Sequence, residues 1–292
     1  MRRFAGDIIA RVLMLLGFVK RANKRIIANH LITSIYFHDP SKELFEKCIN
    51  WLIKNNYHFI STDDLHKILK NQKPVKKGAV CITVDDGKKD NIKNIVPLIE
   101  ELKIPITIFI SIEPVKNGVF WWSYVNAHNQ VSRKKISIEN CKKVINEERL
   151  KIIEELKEKI VIPREAMTKE EVIRISKSKF ITIGNHTVNH PITKKCSIDV
   201  LKYEINEASN ELKKWINNDI EFFAYPNGDF DEREKLILES NKIKMAFTTL
   251  PEFININKPI NFFQVPRFSV NDNGSFSENI CKMTGVWKKY IK

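Results

Sequence analysis

Two adjacent carboxylates, Asp85 and Asp86, stand between an apolar, β-branched run over 79–84 and Gly87. Such a run reads as a buried strand, and acids are costly inside a core, so the pair belongs where the strand leaves it. A turn at Gly87 would aim both acids toward one cleft, where one holds a cation and the other handles a proton. Asp86-Gly87 also fits a plainer role, capping a helix that starts near Lys88. A second stretch, Gly184-Asn185-His186-Thr187-Val188-Asn189-His190-Pro191, sets two histidines four apart. On a helical turn that spacing offers two imidazole nitrogens to one metal; in a solvated loop it does no such work. A third stretch, Phe223-Ala224-Tyr225-Pro226-Asn227-Gly228, follows another apolar run and reads equally as a Pro-Asn-Gly turn. His38 ends a strand-like run over 31–37 and is either a reactive group or an ordinary loop histidine.

The elements that must position these groups alternate along the chain. Strands are expected at 31–37, 57–60, 79–84, 105–110, 180–183, 220–224, 245–249 and 262–268, mostly separated by amphipathic helices. The stripe Leu44, Phe45, Cys48, Ile49, Leu52 and Ile53 is one such helix. Repeated βα units predict an α/β fold with a parallel sheet closed, or nearly closed, into a barrel. In such a barrel the chemistry sits at the C-terminal ends of the strands. The rhythm breaks over about 113–179, an inserted, largely helical segment that carries Trp121 and Trp122. That pair would stack on a sugar ring or fill a core.

Residues 30–292 read as one domain, with 1–29 a basic amphipathic segment. The apolar run of that segment is too short to span a bilayer and lacks a small-residue cleavage site. It suits either the face of an anionic membrane or packing against the body of the protein. Hydrophobic content of 43% and charged content of 29% are those of a soluble globular chain, but the net charge of +14 favours anionic surroundings. Five widely spaced cysteines without a C-x-x-C pair argue against a disulfide framework or a thiolate zinc site, and for a reducing, cytoplasmic compartment. Peripheral contact with the inner face of the membrane is the accompanying expectation.

Taken together, Thr83-Val84-Asp85-Asp86-Gly87, His186-Thr187-Val188-Asn189-His190 and Phe223–Gly228 resemble, in order and spacing, the polysaccharide deacetylases that share the NodB-homology domain. The resemblance covers roughly residues 30–270. It implies a distorted (β/α) barrel that removes acetyl groups from N-acetylated sugars with a divalent metal, zinc being the expected ion. By position it makes Asp85 the catalytic base and Asp86, His186 and His190 the metal ligands. One carboxylate and two imidazoles leave a zinc position open for water. Asn227 and Tyr225 of the third motif, with Trp121 and Trp122, are the expected substrate contacts, a main-chain N–H near Asn227 meeting the oxyanion.

Two departures stand out. Many members have an arginine where this chain has Ala224 and an aromatic residue where it has Asn227. Arg267, in Val265-Pro266-Arg267-Phe268, is the expected substitute for the arginine that orients the base. The family's Leu-x-His segment near the C-terminal end of the domain is also missing, since the last histidine is His190. Of the remaining histidines (His30, His38, His58, His66 and His128), only His38 directly follows a convincing strand. Tyr36-Phe37-His38 resembles the motif of a subgroup that places its catalytic histidine before the Asp-Asp pair, which makes His38 the expected general acid.

The resulting expectation is a metal-dependent hydrolase that de-N-acetylates a sugar of a polysaccharide, glycolipid or lipid-linked glycan. A carbohydrate-binding relative that no longer turns over is the alternative raised by Ala224 and Asn227. A nucleic-acid binder is suggested only by the charge and lacks a recognition module, so nucleic acid is not an expected partner.

Overall fold

A computed structural model describes the chain over residues 2–28 and 31–290, and its side chains from residue 5. Nine strands form one sheet among the described residues: β1 (Leu31–Phe37), β2 (His58–Ile60), β3 (Ala79–Val84), β4 (Ile106–Ile110), β5 (Ile181–Asn185), β6 (Phe222–Ala224), β7 (Met245–Phe247), β8 (Ile254–Asn255) and β9 (Phe268–Ser269). Every pairing is parallel except that of β1 with β8. The order is β7-β6-β5-β4-β3-β1-β8, with β9 on β1 and β2 on β3. β2 occupies the first half of the free edge of β3 and β4 the second half, so the sheet is irregular from the start.

The helices, in chain order, are α1 (Arg2–Leu15), α2 (Phe18–Ala28), α3 (Lys42–Lys54), α4 (Thr62–Leu69), α5 (Asn91–Asn94), α6 (Val96–Leu102), α7 (Ile112–Asn117), α8 (Trp121–Val131), α9 (Ile138–Lys143), α10 (Asn146–Lys157), α11 (Lys169–Ile175), α12 (Ile198–Ile216), α13 (Arg233–Ser240), α14 (Phe276–Met283) and α15 (Val286–Tyr290). None of the described helices is long and apolar enough to cross a membrane. α7 to α11 lie between β4 and β5. Within them Val119, Trp121, Tyr124, Val125, Cys141, Ile153 and Leu156 form an apolar cluster of their own.

The period of two along the strands sorts their side chains into two layers. Ala79 and Cys81 of β3 join Ile32, Phe109, Phe222, Ala224, Met245, Phe247 and Val265 in the barrel interior. Val80, Ile82 and Val84 face outward, with Ile35, Phe37, Ile106, Ile108, Ile181 and Ile183, against the helices. Continuing that alternation past the end of β3 places Thr83 and Asp85 on the inner face. The architecture is the parallel barrel that the alternation predicts, in the distorted (β/α) form that the family resemblance implies.

Two local expectations need correction. The stretch 262–268 is not a continuous strand, because Pro266 has no N–H for a ladder. Its first part bonds to β7, with Ala246 N–H donating to the Phe262 carbonyl at 2.8 Å, and only its end pairs with β1. In this way the stretch bridges the two ends of the curled sheet. Lys88 does not begin a helix; it bridges to Ala166, and α5 starts at Asn91. The basic N-terminal segment forms two helices, broken at Gly17, whose φ of 76° is a left-handed conformation that glycine takes without cost.

Candidate functional site

The two acids leave β3 in different conformations. Asp85 N–H donates to the Phe37 carbonyl at 2.9 Å, continuing the ladder of the strand. Asp86 (φ 77°) and Gly87 (φ 79°) are both left-handed. This reversal turns the Asp86 carboxylate into the same cleft as that of Asp85, at a cost of about 1 kcal/mol or more for the non-glycine residue. Gly87 has a second reason to be glycine, since a Cβ there would lie 2.7 Å from Ile110 Cδ1.

Asp85 is completely engaged. Arg267 donates from Nη1 to one carboxylate oxygen at 2.7 Å and from Nη2 to the other at 2.8 Å. Its remaining donors reach Thr83 Oγ1 at 2.8 Å and the Thr248 carbonyl at 3.0 Å. Its guanidinium carbon lies 4.4 Å from the centre of the Tyr36 ring. Burial by itself would raise the Asp85 carboxyl, but the charge of Arg267, the nearby His186 and the hydrogen bonds from Arg267 together outweigh it and hold the group below its ordinary range. The expected substitute for the arginine missing at Ala224 is thus in contact with the base candidate.

Asp86, His186 and His190 converge. One donor atom from each lies within 4.8 Å of the others. The Asp86 Oδ1 contacts are 3.5 Å to His186 Nε2 and 3.4 Å to His190 Nε2. Both exceed the 2.7–2.9 Å usual for a charge-assisted hydrogen bond. The histidines meet through a loop with positive φ at Thr187 and His190, not through the helical turn that the spacing suggested. His186 Nδ1 lies 2.8 Å from the Ala224 carbonyl; an acceptor there places the proton on Nδ1 and leaves Nε2 with its lone pair toward Asp86. For His190, burial depresses the pKa to about 4, so its imidazole is neutral at pH 7, and its Nδ1 is buried without a hydrogen-bond partner. Burial opposes ionisation of Asp86, but the neighbouring His186, His190 and His38 together outweigh it and hold the carboxyl well below its usual range. An ionised carboxylate and two imidazoles around one point, that of His190 neutral, are a donor set that fits a divalent cation.

The cleft around these groups has a volume of about 800 Å³. His38 lines it, with Nδ1 3.7 Å from a carboxylate oxygen of Asp272. Asn227, Trp121 and Trp122 line it as well. Trp121 is mostly buried and donates its indole N–H to the His190 carbonyl at 3.2 Å, so it braces the histidine loop. The Trp122 ring stacks on Phe120 at 4.8 Å and meets the His190 ring edge-on at the same distance. Tyr225 is not on the cleft. Its ring packs between Phe223 and Phe230 and its hydroxyl donates to the Phe263 carbonyl at 3.0 Å, so its expected substrate contact is withdrawn. The stretch is a strand end running into a turn, and alternation sends the tyrosine outward. His58 and His66 are absent from the cleft lining, as is His128, whose Nε2 lies 2.9 Å from the Lys134 carbonyl. His30 lies outside the described residues.

Four participants went unrecognised. The carboxylate of Glu204, buried on α12, accepts from the Val188 and Asn189 main-chain N–H groups at 2.9 and 2.8 Å and from Asn189 Nδ2 at 2.8 Å. Its signal was an acid set among Leu201, Ile205 and Ala208. Asp272 lies in the loop after β9, too far along the chain from His38 for any spacing rule to pair them. Lys88 lies 3.7 Å over the Phe120 ring at the cleft wall. Lys142, which reads as part of a solvated basic face, instead donates to Asn227 Oδ1 at 3.2 Å and lines the cleft.

A family model for polysaccharide deacetylase matches residues 72–246, more than half of the chain. The protein belongs to the polysaccharide deacetylase family. Within that class it is a carbohydrate deacetylase. Among solved structures, it is similar to IcaB from Ammonifex degensii, at 16% identity and a TM-score of 0.62, over 87% of this chain and 97% of that one. It is also similar to the Streptococcus pyogenes deacetylase PplD, solved in complex with acetate, at 16% identity and a TM-score of 0.59, over 87% and 98% of the two chains. The de-N-acetylase from Aggregatibacter actinomycetemcomitans matches at 15% identity and a TM-score of 0.61, over 85% and 98%. At these identities the likeness is one of fold. No curated protein sequence matches the chain.

Proposed function

We propose that the protein hydrolyses the N-acetyl amide of a sugar in a polysaccharide, glycolipid or lipid-linked glycan, with a divalent metal, zinc the expected ion, held by Asp86, His186 and His190. The observation that carries this reading is the set of three donors converging beside the Asp85–Arg267 pair in one cleft. When bound, the metal would polarise the acetyl carbonyl and lower the pKa of water at its open position.

The chain's own groups do the rest. Arg267 fixes the plane of the Asp85 carboxylate, which accepts a proton from the attacking water as the new C–O bond forms. The oxyanion meets a main-chain N–H at the Asn227 turn, a contact that does not depend on the side chain at 227. As the C–N bond breaks, His38 delivers a proton to the departing amine, with Asp272 orienting the ring. The products are acetate and a free amino sugar. Trp122 offers an aromatic surface to the sugar from the cleft wall, whereas Trp121 acts through the histidine loop.

The alternative of a binding relative without turnover drew on Ala224 and Asn227; the contact of Arg267 with Asp85 answers the first, and an oxyanion contact through a main-chain N–H would answer the second. The experiment is acetate release from N-acetylglucosamine oligomers and from an N-acetylated glycolipid. Release that a chelator abolishes and added zinc restores supports the reading. Release that survives exhaustive chelation, or none from either substrate with metal bound, overturns it.

A further inference from the structure

The outer face of α1 does not belong on a water-exposed helix. One side of α1 packs inward: Ala10 is fully buried, and Leu13 and Met14 lie against the core. A Cβ at Gly6 would contact Glu278 on α14 and Trp287 on α15. The opposite arc exposes five large aliphatic side chains: Ile8 (47%), Ile9 (44%), Val12 (46%), Leu15 (86%) and Leu16 (60%). An apolar patch of this kind on an otherwise ordinary surface marks an interaction site. Its flank is strongly cationic. From residue 8 to residue 28 the chain holds Arg11, Lys20, Arg21, Lys24 and Arg25 and no acid.

Between α2 and α15 lies a concavity of about 160 Å³ lined by Arg21, Arg25 and Lys289 together with Phe18 and Tyr290. The two rings stand 4.6 Å apart, and the Arg21 guanidinium carbon is 5.8 Å from the centre of the Phe18 ring.

We propose that α1 and the basic concavity beside it dock the protein on an anionic phospholipid bilayer, the aliphatic row entering the acyl boundary and the cations meeting lipid phosphates. Two features argue for a bilayer over a second copy of the chain. Two such faces would bring cations of one sign together, since residues 7–28 hold five of them and a single acid, Asp7, which accepts from Arg11 at 2.7 Å. Exposed aliphatics beside a cationic flank match the division between the acyl region and the headgroups of an anionic leaflet. Docking also bears on the site. α1 packs on α14, the helix that follows β9 and the Asp272 loop, so a lipid surface at α1 would bear on an element joined to the cleft wall.

The test is co-sedimentation of the full chain with vesicles of phosphatidylcholine alone and of phosphatidylcholine mixed with phosphatidylglycerol. The expected result is binding to the mixed vesicles that weakens with salt. Binding should fall by about tenfold or more in Val12→Asn/Leu15→Asn and again in Arg21→Glu/Lys289→Glu. These side chains are at the surface, and unchanged thermal melting would confirm that both variants fold. Wild-type protein that ignores mixed vesicles, or binding that neither pair of substitutions weakens, overturns the proposal. So does dimerisation in sedimentation velocity that Val12→Asn/Leu15→Asn abolishes while vesicle binding is absent. None of these readouts uses deacetylation, so their failure is separate from failure of the proposed activity.

Discussion

The two neighbouring acids of the cleft are held in opposite ways. Asp85 is closed: both of its oxygens are taken by one buried guanidinium at 2.7–2.8 Å, on a backbone that continues the strand. Asp86 is open: its contacts to two imidazoles are stretched to 3.4–3.5 Å, and its backbone is turned into the left-handed region. A saturated carboxylate keeps its position and charge. A carboxylate whose neighbours stand back in this way is arranged around a point rather than around a partner. One residue step along the chain therefore separates a group built to stay fixed from a group built to coordinate.

Isosteric substitution breaks this comparison most directly. Asp85→Asn should retain metal while reducing acetate release by about a hundredfold or more, as for loss of a positioned base. Asp86→Asn should lose metal, read by elemental analysis after dialysis. Equal metal loss in the two variants would erase the distinction. Next in size is His38→Ala, expected to cut turnover by about a hundredfold with metal content and melting temperature unchanged, as for removal of a general acid. Unimpaired turnover would send the search for the proton donor elsewhere. The smallest effect sharpens the open side. Glu204→Gln leaves the loop amides with a weaker acceptor and should reduce metal affinity by about tenfold, measured by competition with a chelating dye, without lowering metal-free stability by more than about 1–2 kcal/mol.

Much of the closed side and the centre of the open side could be read in advance. Alternation along 79–85 puts Asp85 on the inner face, and the segments around Asp86, His186 and His190 are local in sequence. Arg267 was found because it sits at the end of an apolar stretch, although 182 residues separate it from Asp85. The supports were not legible in the same way. Glu204 acts through main-chain amides, which leave no trace in residue identity. Asp272 comes beside His38 only because β9 pairs with β1. Tyr225 was misjudged because an aromatic residue next to a motif says nothing about which side of the strand it faces. The fate of 262–268 turned on a single proline that converts a strand into a bridge between the ends of the sheet.

The helical segment between β4 and β5 rests on its own apolar cluster, apart from the two clusters that line the barrel and back it with helices. It supplies Trp121, Trp122 and Lys142 to the cleft, while the reacting acids and histidines come from strand ends. The segment touches the reaction centre at a few defined points: the Trp121 indole on the His190 carbonyl, the Trp122 ring against the His190 ring, Met167 N–H on the Gly87 carbonyl, and the first amides of α7 on the Thr187 and Val188 carbonyls. A lineage could exchange the loops and lysines of this wall away from those points, and with them the sugar it prefers, while inheriting the chemistry intact. Preference and reactivity would then evolve at different speeds within one chain, with Trp121 and Trp122 among the positions where a change in one is felt by the other.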